Sequence, residues 1–150
     1  MGGFSLSSPE TWSTWIQNTG IIASMLYGAI EARRARQALN DENLRSIAAE
    51  RRVLRDMLIQ KPELSRVLQS SVDLTKQPLT FGELEYLKDR FVLYLRAWRL
   101  VKNGGALTFD ELVLEIRRFI QFPLPHVVWE QTKEDRDPDF VRFVKRAIGD

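Results

Sequence analysis

The chain has 150 residues, enough for one domain with an appended segment, and a hydrophobic fraction of 44% that can supply a core. It contains no cysteine, which excludes disulfides and thiolate metal sites. Its 22 basic and 20 acidic residues leave a net charge of only +2, with no lysine-rich block, so nucleic acid is not an expected partner.

The first element is the stretch from Thr11 to Ile30, which carries no charge and is followed at once by Arg33, Arg34 and Arg36. About 20 mostly apolar residues are needed to cross a hydrocarbon core about 30 Å thick, and this stretch reaches that length. Trp12 and Trp15 at one end and Tyr27 near the other are amphipathic rings of the kind found at headgroup level. The arginines lie on one side only. By the positive-inside rule they put the long C-terminal part in the cytoplasm and a short N-terminus outside. The same arginines would meet anionic headgroups at about 1 kcal/mol each.

Gly20, Ser24, Gly28 and Ala32 recur every four residues and form one small-residue stripe on a helix. Such a stripe lets two helix backbones approach closely, which is how helices associate in lipid. The expectation is therefore a transmembrane helix that packs against another membrane helix or a second copy of itself. Gln17, Asn18 and Thr19 weaken the apolar run, whose strongest part is Gly20 to Ile30. A run that short is compatible with a buried helix instead. The competing reading is a soluble protein that self-associates through residues 12–58 and offers its arginines to an acidic partner. A secretory signal peptide fits poorly, because its basic residues should precede the apolar segment.

From Glu31 to Gln60 there is neither proline nor glycine, and helix formers dominate. Leu44, Ile47, Leu54 and Leu58 follow a three-and-four alternation, with Arg51 where a further apolar residue is expected. This predicts a helical stalk packed on a partner or on its own domain. Lys61-Pro62 ends it and starts a short helix to about Ser70. Thr80 and Glu83 form a capping box opening a helix with Leu84, Leu87, Phe91, Leu95 and Trp98 at helical spacing. Asn103-Gly104-Gly105 stops it, and Thr108 with Glu111 opens the next helix in the same way. Residues 79–91 and 107–119 agree at seven of thirteen positions, too few copies for a solenoid. After Phe122-Pro123-Leu124-Pro125, a short helix is expected from His126 to Gln131, and a last one after Asp137-Pro138 with Phe140, Phe143, Val144, Ala147 and Ile148 facing inward.

The predicted fold is all-α: a tail and membrane-anchor helix over 1–32, a stalk over 33–60, and a cytoplasmic bundle of four to five helices over 61–150. The search for chemistry returns little. Gly105, Leu107 and Glu111 fall where an EF-hand has its turn glycine, apolar position and last ligand, but Leu100, Lys102 and Gly104 occupy the carboxylate positions. Glu111 and Glu115 could share a helix face, yet the Glu-x-x-His of a di-metal bundle is absent. His126 is the only histidine and has no matched nucleophile. No catalytic, cofactor or metal residue is assigned, and no small-molecule substrate is evident. Arg96 and Arg99, either side of Trp98, are the candidates for docking a partner.

The order of these features resembles a broad group of small bacterial proteins of unknown function, which have one N-terminal membrane helix, a helical stalk and a cytoplasmic helical domain. The residues that carry the resemblance are Trp15, Gly20 and Arg33-Arg34, then Lys61-Pro62-Glu63-Leu64 and Gly105-x-Leu107-Thr108. Trp129 and Asp137-Pro138-x-Phe140-x-x-Phe143-Val144 complete it. It implies an architecture and offers no activity. The expected role, a non-enzymatic membrane-anchored assembly or accessory subunit, rests on the small-residue stripe and the bundle.

Overall fold

The computed structural model describes residues 9–105 and 107–149, with side chains from residue 24 onward. Among them are five α-helices and two 3-10 segments, and no strand. Helix α1 runs Pro9–Gln60, a 3-10 segment follows at Pro62–Leu68, and α2 is Phe81–Lys102. Then come α3 (Phe109–Ile120), α4 (Pro123–Thr132), a 3-10 turn at Lys133–Asp135 and α5 (Pro138–Ile148). The chain divides into two compact units, one ending at Leu39 and the other comprising Asn40–Asp150.

The described part of the first unit, from Pro9, is a single helical segment. Among the described residues no helix is long and apolar enough to cross a membrane. The expected span of Thr11–Ile30 falls short because Gln17-Asn18-Thr19 interrupts it, which leaves only Gly20–Ile30 strongly apolar. At about 1.5 Å per residue that part covers roughly half of a 30 Å hydrocarbon core.

The second unit is a helical bundle built on α2. Both capping boxes form as expected. Thr80 N–H donates to Glu83 Oε2 at 2.8 Å while Glu83 N–H donates to Thr80 Oγ1 at 3.3 Å, and Thr108 and Glu111 do the same at 3.2 and 3.3 Å. Each box satisfies two N–H groups that a helix start leaves without partners. Just past the end of α2, Gly104 has a φ of +82° that suits a residue with no Cβ, and Gly105 N–H then returns to the Leu100 carbonyl at 2.9 Å. Gly149 (φ +90°) closes α5 in the same left-handed conformation.

Helix α4 begins at Pro123, three residues before the expected His126. Prolines at 123 and 125 fall in the first turn, where a missing N–H breaks no intrahelical bond, so they start the helix and do not block it.

The centre of the core is aromatic. Trp129 is fully buried, with its ring 5.4 Å from Phe91 and 6.1 Å from Phe140, the latter edge to face. Such pairs add about 0.5–1.5 kcal/mol beyond their buried area. Leu87, Ile116, Leu124, Val128 and Val144 complete the layer. The segment of α1 within this unit joins the same core through Ile47 and Leu54, both buried, with Leu44 and Leu58 packed at the edge. In the fully apolar run of α2, Phe91, Leu93 and Tyr94 are buried, while Val92 is 46% exposed.

Candidate functional site

From Ser24 to Leu39 every side chain of α1 is exposed. Four large apolar residues lie close together there: Met25, Leu26, Tyr27 and Ile30, at 69, 61, 67 and 46% exposure. Successive helix residues are about 100° apart, so Met25, Leu26 and Tyr27 alone fan over more than half of the circumference. Gly28 and Ala32 are exposed on one face, and a Cβ added at Gly28 would meet nothing within 4 Å. Packing within the chain therefore gives no reason for a glycine at that position. Arg34 pairs with Glu31 at 3.3 Å on the surface. Arg33 and Arg36 have no ion pair among the described residues. Trp12, Trp15 and Gly20 lie outside the residues whose side chains are described.

The arginines expected to dock a partner are tied inside the bundle. Arg96 pairs with Glu50 and donates to Ser46 Oγ at 3.1 Å, joining α2 to α1. Arg99 pairs with Asp137 at 3.3 Å, at the start of α5. Trp98 between them is 6% exposed and belongs to the core, while Lys102 reaches back over its ring at 4.9 Å.

A second polar network joins α1, α2 and α3. Arg51 Nη2 donates to Glu115 Oε2 at 2.7 Å, and Arg90 Nη2 donates to the other oxygen, Oε1, at 3.0 Å. Arg90 Nε reaches the Tyr94 hydroxyl at 3.3 Å, and the guanidinium lies 5.2 Å from the centre of that ring. Burial pushes the Tyr94 hydroxyl up to about 12, with the Glu115 charge adding to the shift and Arg90 opposing it. Burial alone would lower Arg90, but Tyr94 and Glu115 outweigh it and raise it above its ordinary value. Only the anomaly at Arg51, a charged residue in an apolar register, hinted at this network. Its partners lie 39 and 64 residues away, beyond the reach of local pattern.

The third network surrounds a cleft of about 740 Å³, lined in part by Met57, Leu64, Phe81 and Tyr86. Arg66 meets Glu83 twice at 2.7 Å and also bonds the Pro78 carbonyl and both the carbonyl and side chain of Gln77. All five guanidinium contacts are thus made within the protein. Burial would raise the Glu83 carboxyl, but hydrogen bonds from Arg66 and Thr80 hold it below its usual range.

Glu111 and Glu115, paired in the sequence as a possible ligand face, take different roles: Glu111 caps α3 and Glu115 binds two arginines. His126 is exposed on α4. No family model matches the chain, and neither a curated protein nor a solved structure is significantly similar to it.

Proposed function

We propose that this chain is a non-enzymatic, membrane-associated helical protein that serves as an assembly or accessory subunit at the cytoplasmic face of a bacterial inner membrane. Its N-terminal helix embeds in lipid and packs there against another helix or a second copy, while the bundle docks a partner. The observation that carries this reading is the exposed apolar surface of Met25, Leu26, Tyr27 and Ile30, followed immediately by Arg33, Arg34 and Arg36. A seam for one soluble partner needs a single apolar stripe, whereas these apolar side chains fan over more than half of the circumference, a wider apolar surface of the kind buried in a core or a membrane. A full crossing, with the N-terminus outside, requires partners for Gln17, Asn18 and Thr19. Side chains of a neighbouring membrane helix supply such hydrogen bonds, and the Gly20/Ser24/Gly28/Ala32 stripe would let that helix come close.

Flotation with anionic vesicles tests the lipid part. Replacing Arg33, Arg34 and Arg36 together by Gln is expected to weaken binding by about 3 kcal/mol, or roughly a hundredfold, at about 1 kcal/mol each. Equal binding by the wild type and the triple variant contradicts it. Gly28→Leu tests the helix packing: cross-linked oligomers in detergent should decrease, and unchanged oligomers would refute the stripe.

A second reading is soluble self-association through residues 12–58. It is favoured by Leu39 and Val53, which are 60 and 58% exposed in the charged part of α1, where lipid cannot cover them.

A further inference from the structure

Three arginines of the Asn40–Asp150 unit converge on one cleft of about 210 Å³. Arg51 and Arg55 reach it from α1 and Arg90 from α2, while Leu58 and Phe119 give it an apolar wall. The charges do not balance. Glu115 is the one carboxylate at the cleft, and both its oxygens are taken, by Arg51 at 2.7 Å and Arg90 at 3.0 Å. Arg55 has no ion pair among the described residues. Three cations thus face one anion.

The hydrogen-bonding groups are just as one-sided. Arg51 Nε is buried and has no acceptor. Tyr86 also lines this cleft, and its hydroxyl has no hydrogen-bond partner among the described residues. What the cleft has to spare is donors and positive charge. The group that matches both is an acceptor-only anion with several oxygens, and planar guanidinium forks suit phosphate oxygens especially well. Glu115 adds to this by holding Arg51 and Arg90 side by side, so less side-chain freedom is lost when an anion arrives. The larger cleft offers no such surplus: every donor of Arg66 is already used, and Glu63, Glu83, Glu85 and Asp89 outnumber its cations Lys61 and Arg66.

We infer that the Arg51–Arg55–Arg90 cleft binds a phosphate group, with Arg55 and Arg51 as charge partners and Tyr86 as a further donor. The phosphate belongs either to a soluble phosphomonoester or to a lipid headgroup. This goes beyond the proposed membrane role and does not depend on it, since no residue of the first unit takes part.

The test is a melting series on the full chain at constant ionic strength, with sodium chloride replaced stepwise by inorganic phosphate or glycerol 3-phosphate. A parallel arm compares phosphatidylcholine vesicles with and without phosphatidate. In the soluble arm the melting temperature should rise with saturation, and the Arg51 Nε–H resonance should shift. Arg55→Gln should melt like the wild type in chloride, because Arg55 is exposed and unpaired, yet bind phosphate at least tenfold more weakly. An Arg55-dependent response confined to phosphatidate vesicles also supports the site and assigns it to a lipid headgroup. If neither arm gives an Arg55-dependent response, or if Arg55→Gln responds like the wild type, the site does not exist.

Discussion

Glu83 shows most plainly how one side chain can hold a local start and a distant contact at once. Its carboxylate caps α2 through Thr80 and takes two hydrogen bonds from Arg66, with only 3% of the side chain exposed. Removing one partner of a buried ion pair leaves the other uncompensated, so Glu83→Gln should cost about 3 kcal/mol in urea denaturation at pH 7. The sign with pH follows from linkage. The folded carboxyl titrates below its ordinary value of 4.5, so its stabilisation is complete above that pH and is lost as pH falls through the lower folded value. The gap between wild type and Glu83→Gln should therefore be widest near neutrality and narrow below about pH 4. A gap that stays constant with pH would contradict the ionised pair. Gly105 is constrained differently: a Cβ there would lie 2.6 Å from Leu100 Cγ and 2.9 Å from the Leu100 carbonyl oxygen. Gly105→Ala should cost about 2 kcal/mol, as overpacking does. Gly82→Ala, where the nearest atom is Leu64 Cδ2 at 3.9 Å, should cost nothing, and thermal melts of both variants check the contrast.

Among the elements, α1 is the one whose two parts have different duties. In the part from Asn40, Ile47 and Leu54 enter the core; in the part before it, every described side chain is exposed. Leu54→Ala should destabilise the bundle by about 2–5 kcal/mol, the usual range for a buried leucine. Met25→Ala should leave the melting temperature unchanged and reduce vesicle binding instead; a stability loss at Met25 would mean that it packs within the chain. The sequence made some elements legible and not others, for reasons that are physical. Thr80/Glu83 and Thr108/Glu111 were readable because a capping box is complete within four residues. The three-and-four spacing of Leu44 to Leu58 announced a packed helix, but the same spacing serves an intramolecular core and an external partner. Arg51 with Glu115 and Arg66 with Glu83 were not readable, because an ion pair across the fold leaves no periodic trace. The ion pairs of Arg96 and Arg99 were hidden for the same reason. Their partners Glu50 and Asp137 lie 46 and 38 residues away.

At the scale of the molecule, the two compact units divide the work as their surfaces suggest. The Asn40–Asp150 unit contains its own aromatic core and most of the ion pairs seen among the described residues, while the described apolar residues of the unit before it, from Met25 on, are exposed. The most direct test is fractionation of the expressed chain with a carbonate wash, beside a truncation to residues 40–150. Full-length protein should remain in the washed membranes, while the truncation stays in solution and unfolds cooperatively as a helical domain. Recovery of the full-length chain in the soluble fraction, without detergent and as a defined oligomer, would contradict the membrane role and leave self-association through α1 as the account of its exposed surface.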